Sequence, residues 1–364
     1  MRRLLLKLVL ALFAVLVIGG AAGWFQLQRY LDSPLNIATD GLEVQLEKGG
    51  SLGSLAYSLS RQGIMEHPRW LTLYSRVTGR GQAIHAGDYW LAQGLTPRQL
   101  LTKLESGDVH YSQVTLVEGW TVRQAVEHLK TQERLTHTLD DVSVSAQQLG
   151  VDWKQSLEGM LFPDTYRFLR GETDTALLRR AFQRMQDVLA QEWETREKNL
   201  PYRDAYDALI MASLVEKETG YAPERPMIAG VFVRRLQKGM RLQTDPAVIY
   251  GLGDQFDGNL RSRHLKDESN PFNTYRHRGL PPTPIALAGR EAIHAALHPQ
   301  EGSALYFVAK GDGSHFFSST LEEHQRAVRK YQIEQRQKNY SSSPPPGAYI
   351  PRSANDKNAS SRKG

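Results

Sequence analysis

The sequence predicts an α+β protein carried on one membrane-spanning helix, and three observations lead there. Leu4 to Trp24 forms a 21-residue run that is apolar except for Lys7. Residues 42–91 then read as strand, helix, helix, strand within a short compass. The remaining chain mixes short β-patterned stretches with helices that carry an apolar face.

The apolar run is long enough for the ~30 Å hydrocarbon core of a bilayer. Arg2, Arg3 and Lys7 lie at its start, so the positive-inside rule places the N-terminus in the cytoplasm. A cleaved signal peptide is the competing reading, favoured by Gly19-Gly20-Ala21-Ala22-Gly23. The length of the run and the interfacial set Trp24, Phe25 and Tyr30 favour a retained anchor over residues 1–31. The anchor also explains the charge. The chain carries a net +6 at pH 7. Arg2, Arg3 and Lys7 supply +3, residues from Lys338 onward supply +4, and the rest of the chain is left at −1. Nothing in that remainder suggests a nucleic-acid groove. The absence of cysteine rules out disulfides, thiolate zinc sites and thiol nucleophiles.

After the anchor, residues 38–112 read as a self-contained module. Leu42 to Leu46 alternates as a strand, Ser51 caps a helix to Arg61, and Gly63 closes it. Pro68 opens a helix over Trp70–Val77, and His85 to Leu91 returns as a strand. Thr96-Pro97 then starts a helix ending before Gly107. Val44 to Leu52 is echoed by Val114 to Val122: strand, charged residue, glycine, capping Ser or Thr, helix. Residues 113–337 form the second region, with helices from Thr121 to Thr131, Asp174 to Arg196, Asp204 to Thr219, Pro226 to Lys238 and Gly289 to Ala296. A hairpin joins Leu305–Ala309 to Phe316–Phe317 through Gly311-Asp312-Gly313, and a last helix covers Leu321–Gln337. The Ser/Pro-rich end, residues 338–364, has nothing to bury and reads as a disordered basic tail.

The richest chemistry lies at Leu209 to Gly220, an apolar helix ending on two carboxylates. At about 100° per residue, Ile210, Met211, Leu214 and Val215 share one face, with Glu218 near its middle and Glu216 almost opposite. Gly220 suits a left-handed helix terminus. Burial and the helix dipole both favour the protonated form of Glu218, the state a general acid for glycosidic cleavage needs. The alternative is an ion pair with an arginine that merely fastens the helix end.

Other motifs carry less. Gly49-Gly50-Ser51-Leu52-Gly53 matches a nucleophile elbow, but only one strand precedes it and Ser51 is explained as a helix cap. His294 and His298 have metal-pair spacing, yet no third ligand is evident nearby and they read as ordinary helix histidines. The loops Met240–Gly251 and Asn270–Tyr275, with Gly279–Ile285, are different in kind. Gln243, Thr244, Asn273 and Thr274 offer neutral donors and acceptors, while Tyr250, Phe272 and Tyr275 offer flat faces. This suits a sugar-binding cleft, or equally a set of Pro-rich loops satisfying their own backbone.

Ser213-Leu-Val-Glu-Lys-Glu218, Arg241-Leu-Gln-Thr-Asp-Pro-Ala-Val-Ile-Tyr-Gly251, Asn273-Thr-Tyr275, Gly279-Leu-Pro-Pro282, His298-Pro299 and Tyr306-Phe-Val-Ala309 resemble the YceG-like family of membrane-anchored endolytic murein transglycosylases. Leu116-Val-Glu-Gly119 and Phe162-Pro-Asp-Thr-Tyr166 resemble it too. The resemblance implies an inner-membrane anchor, a LysM-like module at residues 38–112 and a periplasmic catalytic domain of mixed α/β character. It implies cleavage of MurNAc–GlcNAc bonds within nascent glycan strands, leaving 1,6-anhydro-MurNAc ends and so terminating polymerisation near penicillin-binding synthases. Glu218 takes the place of the essential glutamate, with Gln243, Thr244, Asp245, Tyr250, Asn273, Thr274 and Tyr275 expected on the substrate side. The chemistry implied requires no cofactor and no metal. The rivals are a hydrolase using a second carboxylate, for which Asp245 could reach, and an anchored murein-binding protein without activity.

Overall fold

The protein's structure, a computed structural model, describes residues 2–334. The expected disordered tail and the last three residues of the expected terminal helix lie outside them. The chain divides into two compact units, residues 1–113 with 167–172, and residues 114–166 with 173 onward.

The first unit opens with α1, Arg2–Leu31. Its stretch Leu6–Leu31 is 26 residues long and apolar enough to cross a membrane. At 1.5 Å per residue that is about 39 Å, more than a ~30 Å hydrocarbon core requires. The surplus is used: side chains from Leu6 to Ile18 are exposed, whereas Leu27 and Leu31 are buried in the core of the following module. That module runs β1 (Leu42–Leu46), α2 (Leu52–Arg61), α3 (Pro68–Thr78), β2 (Gly87–Leu91) and α4 (Pro97–Ser106). β1 and β2 pair antiparallel, with Val44 opposite Tyr89, and both side chains face the core. Leu55, Ala56 and Leu59 of α2, Leu71 of α3 and Leu100, Leu101 and Leu104 of α4 fill it. Each such leucine contributes ~1.5–3 kcal/mol by leaving water. Ser51 is a helix cap as expected: its hydroxyl accepts the Ser54 amide at 3.0 Å. Arg98 ties α4 to the end of α1 through Asp32 at 2.6 Å, and to Tyr74 of α3 at 2.9 Å. The returning segment 167–172 is fastened by Arg170, which meets buried Asp88 at 3.0 Å.

The chain passes between units at β3 (Ser112–Thr115), and the echo of the first strand–cap–helix turn follows. Thr121 caps α5 (Val122–Lys130) with a capping box to Gln124. A single-turn helix, α6 (Ala146–Leu149), and β4 (Thr165–Phe168) precede the helices of the second unit. These are α7 (Asp174–Glu194), α8 (Ala205–Glu218) and α9 (Arg225–Gln237), then α10 (Asp245–Leu252), a short α11 (Ser262–Lys266) and α12 (Arg290–Leu297). The hairpin β5 (Tyr306–Ala309) and β6 (His315–Ser318) turns through Gly311 and Gly313, both at positive φ, and α13 (Leu321–Val328) follows. α8 lies at the centre, with every residue from Tyr206 to Val215 buried among α7, α9, α10 and α12. The Gly279–Ala288 loop is pinned to it by Ser213, whose hydroxyl accepts the Ile285 amide at 3.0 Å.

Most helix ends differ from the sequence reading by one or two residues, the usual fraying, but the expected helix Leu321–Gln337 is α-helical only over Leu321–Val328 and continues as a π-helix over Arg329–Glu334. Three differences have physical causes. Residues 245–252, expected as loop, form α10, because Pro246 is pre-set for a first helical turn and Ala247 and Val248 are apolar enough to bury. Residues 165–168, expected within an irregular aromatic segment, form β4, with Tyr166 and Phe168 on its buried side. Gly220 does not form the left-handed terminus expected of it; α8 stops because Thr219 is extended, at φ −146° and ψ 131°.

Candidate active site

α8 delivers Glu216 and Glu218 to its last turn, and both differ from a simple amphipathic picture. Because the helix is enclosed on all sides, Glu216 is not on a solvent face: its side chain is only 5% exposed. Partners separate the two acids where burial does not. Glu216 meets the buried guanidinium of Arg225 at 2.9 Å and accepts the Gly289 amide at 3.0 Å. Arg225 is held in turn by Glu291 at 2.8 Å and lies 3.6 Å from Glu118. Burial pushes Glu216 up to about 7 against the pull of Arg225, yet both of its oxygens already accept hydrogen bonds. This is a structural joint between α8, α9 and α12.

Glu218 is half-buried and makes no ion pair among the described residues. Burial pushes its carboxyl up to about 7. The negative charge of Asp245 adds to the rise, while the Thr244 hydroxyl and Arg235 oppose it. Its place in the last turn, at the negative end of the helix dipole, favours the same protonated state. Although the Thr244 hydroxyl influences this carboxyl, it is buried and has no partner at good hydrogen-bond geometry.

Three segments surround Glu218. Thr244 and Asp245 open α10, where the backbone is anchored by the Thr244 amide donating to the Thr274 hydroxyl at 2.9 Å. Gln243, just before, is exposed and holds φ at +54°, a strained conformation for a residue with a Cβ. It is held there by its amide to the Thr274 carbonyl at 3.2 Å and by Arg235, which reaches its side-chain oxygen at 3.4 Å. Tyr275 donates its hydroxyl to Asp245 Oδ1 at 2.7 Å. Arg235, buried on α9, donates to the carbonyls of Leu242 at 2.7 Å and Leu305 at 2.6 Å, and lies over the Tyr306 ring at 5.0 Å. All its short bonds go to neutral oxygens, so its positive charge is left to act on Glu218 and its neighbours.

Thr244, Asp245 and Tyr275 are therefore brought together with Glu218, Gln243 and Thr274 are tied to the Thr244 segment by hydrogen bonds, and Asn273 and Tyr250 are used otherwise. Asn273 is fully buried; its amide donates to the carbonyls of His264 at 3.1 Å and Asp267 at 2.6 Å, and its oxygen accepts the Tyr275 amide at 3.1 Å. It braces the loop that presents Tyr275. Tyr250 packs edge-on against Phe272, ring centroids 4.8 Å apart, and donates to Glu158 at 3.1 Å. Sequence reasoning missed Arg235 and Glu158. Arg235 sits among ordinary surface-like arginines in the sequence and becomes special only through burial. Glu158 is pushed up to about 7 by burial while accepting the Val122 amide at 3.0 Å, and links two helices and a loop. A cavity of about 640 Å³ opens at the other end of α8, beside Tyr206, Asp207, Ile210 and Pro281–Thr283, and none of the residues round Glu218 lines it.

Residues 44–330 match the YceG-like family. The chain is 32% identical over 335 residues to a Bacillus subtilis (strain 168) protein named endolytic murein transglycosylase, covering 87% of this chain and 91% of that protein. A Streptococcus pneumoniae (D39) protein of the same name is 26% identical over 362 residues, with 89% of this chain covering 65% of that longer protein. A solved yceG-like protein from Listeria monocytogenes superposes with a TM-score of 0.50 at 26% identity, over 79% of this chain and 99% of that one. The chain belongs to the YceG-like family.

Proposed function

We propose that this protein is an endolytic lytic transglycosylase of peptidoglycan, with Glu218 as its acid and base. The observation that carries this is a half-buried glutamate, raised to about 7 by burial and without an ion pair among the described residues, set beside Thr244, Asp245 and Tyr275. Protonated Glu218 donates to the leaving glycosidic oxygen as the C1–O bond breaks. The carboxylate so formed is stabilised by Arg235, then takes the proton of the MurNAc C6 hydroxyl as that oxygen bonds C1. The product is a 1,6-anhydro ring, and Glu218 ends protonated as it began. Mass spectrometry of uncrosslinked glycan after digestion tests the reading: internal cleavage with anhydro ends is expected, and reducing ends alone would overturn it.

The hydrolase reading keeps one observation in its favour, the nearness of Asp245 to Glu218. Its carboxylate is already bound by the Tyr275 hydroxyl. This suits a charge that steadies the positive transition state better than a base that must hold water. Incorporation of solvent ¹⁸O into the product at C1 distinguishes the two.

The same reading makes α1 a retained inner-membrane anchor with its N-terminus cytoplasmic and the enzyme periplasmic. Since Leu27 and Leu31 belong to the module's core, a soluble, active form should begin before Gln26, and one beginning after Leu31 should be less stable. Native protein released freely from membranes would contradict the anchor. The βααβ module of residues 38–112 is read as LysM-like and glycan-binding, lacking an acid of its own. A pull-down with purified sacculi checks it; equal retention of a chain with Tyr57 and Trp90, two exposed aromatics of the module, replaced by alanine would count against those surfaces. Penicillin-binding synthases are the partners proposed, testable by crosslinking in membranes.

A further inference from the structure

We propose that the C-terminal end of α3 dips into the lipid surface beside the anchor, giving the first unit a second contact with the bilayer through Leu73 and Val77. The proposal rests on α1 as a retained membrane helix and adds what the following module does at that membrane.

The direction in which α3 runs carries the inference. α1 leads from its exposed apolar stretch, Leu6 to Ile18, up to Leu27 and Leu31 in the module's core. On the way Trp24 meets Tyr74 of α3, with ring centroids 6.4 Å apart. Further along α1, Tyr30 meets Trp70 edge-on, at 5.4 Å. The later residue of α1 thus pairs with the earlier residue of α3, so α3 runs back along α1 towards the apolar stretch. Arg98 fastens the arrangement, donating to Gln28 and Asp32 at the end of α1 and to the Tyr74 hydroxyl. Trp24 stands where an aromatic belt marks the interface. Val77 lies ~4.5 Å beyond Tyr74 along the helix, and so comes level with the residues of α1 just before Trp24.

The side chains at that level suit lipid. Leu71 and Tyr74 face the core, whereas Leu73 and Val77 are 54% and 64% exposed, one turn apart on the opposite face. Arg76, between them in sequence, is exposed too, and α3 contains no acidic residue. Arg80 is committed to Glu105, which leaves Arg76 as the cation nearest the tip. Two apolar side chains with a cation between them match a short interfacial element: the apolar groups enter the headgroup boundary while the guanidinium reaches a lipid phosphate. Lipid is the occupant because the patch continues the exposed apolar surface of α1, which reaches Trp24 and Phe25. The consequence is mechanical: a single helix lets a module swing about its exit point, and a second contact fixes its tilt.

The chain has no cysteine, so single cysteines report one position each. The full chain carrying Leu73→Cys or Val77→Cys, labelled with a polarity-sensitive fluorophore, is reconstituted into vesicles of phosphatidylethanolamine and phosphatidylglycerol. Both labels should show blue-shifted emission and be quenched more by a spin label near the lipid headgroup than by one deep in the acyl chain. A label at Glu66→Cys, exposed just before the far end of α3, should remain in water. Leu12→Cys, in the apolar stretch, reports the anchor separately through the deep spin label. If the label at 12 is quenched while those at 73 and 77 behave like the one at 66, the proposal is overturned and the anchor stands. A label at 12 in water overturns both. Blue-shifted emission at 73 and 77 that neither spin-labelled lipid quenches puts protein there instead of lipid, and overturns it as well. Finally, Leu73→Asp with Val77→Asp should return a label at Arg76→Cys to water; unchanged emission there overturns the role given to the two apolar side chains.

Discussion

Around Glu216 the end of α8 meets a buried arginine, a backbone amide and two further carboxylates; around Glu218, two residues on, it meets a hydroxyl, an exposed aspartate and an arginine bonded to neutral carbonyls. Burial raises both acids to about 7. What differs is whether the proton has anywhere to go. At Glu216 each oxygen is occupied by a donor within the protein. Glu218 is half-buried, makes no ion pair among the described residues, and has Thr244, Asp245 and Tyr275 as its polar neighbours. A raised pKa alone therefore does not identify a general acid; an unoccupied carboxyl with a raised pKa does, once it faces a place for substrate.

The sharpest way to break this contrast is to neutralise each acid in turn. Glu218→Gln keeps size and neutrality while removing the proton, and should lower glycan cleavage about 10²–10⁴-fold with the fold intact. Glu216→Gln should retain cleavage to the extent that it folds. Digestion assays with circular dichroism decide it; near-normal activity in Glu218→Gln with an inactive, folded Glu216→Gln would reverse the roles.

Arg225 probes the structural side. Arg225→Met leaves Glu216 buried beside Glu118 and Glu291 without its cation, which should cost about 3–5 kcal/mol in urea unfolding. Adding Glu216→Gln should restore a good part of that loss. If the double variant is no more stable than the single one, Arg225 acts through packing and not through Glu216.

The pH dependence sharpens the Glu218 side. Its carboxyl titrates at about 7 in the fold and 4.5 when unperturbed, so the fold binds the proton more tightly than the unfolded chain does. Below pH 4.5 both states are protonated and nothing is lost; between 4.5 and 7 the unfolded chain ionises first and stability falls; above 7 the penalty is complete. Glu218→Gln escapes it. The variant should match the wild type at about pH 4 and exceed it by on the order of 1–3 kcal/mol at about pH 8. Cleavage should decline as pH rises past about 7, as the acid form is lost. A stability gap that ignores pH would place the Glu218 pKa elsewhere.

The contrast also marks what could be seen beforehand. Helices with clear caps, such as those begun by Ser51, Thr96 and Thr121, were legible because a local signal defines them. The raised carboxyl of Glu218 was legible from helical spacing and its place in the last turn. Glu216 was misjudged because a wheel supposes one wet face, and α8 has none before Val215. Arg235 and Glu158 could not be found, since each gains its role from burial and from partners elsewhere in the chain. Asn273 shows the opposite failure: a polar residue in a site-like motif whose bonds all serve its own loop.

Tyr275 offers the finest test, because its contribution should be small and directional. Its hydroxyl donates to Asp245, and the Asp245 charge is one of the influences that raise Glu218. Tyr275→Phe removes the donor and keeps the ring, so Asp245 is left less neutralised and should push Glu218 somewhat higher. The alkaline limb of the pH–rate profile should move up, while the rate falls by up to about tenfold, the loss of one hydrogen bond to a charged group. Some reducing-end product should also accompany the anhydro product if the aspartate, freed of its donor, begins to hold water. A purely structural role for Tyr275 would lower the melting temperature and leave both the limb and the product ratio where they were. Measured together, these readouts separate a residue that tunes the acid from one that only supports its loop.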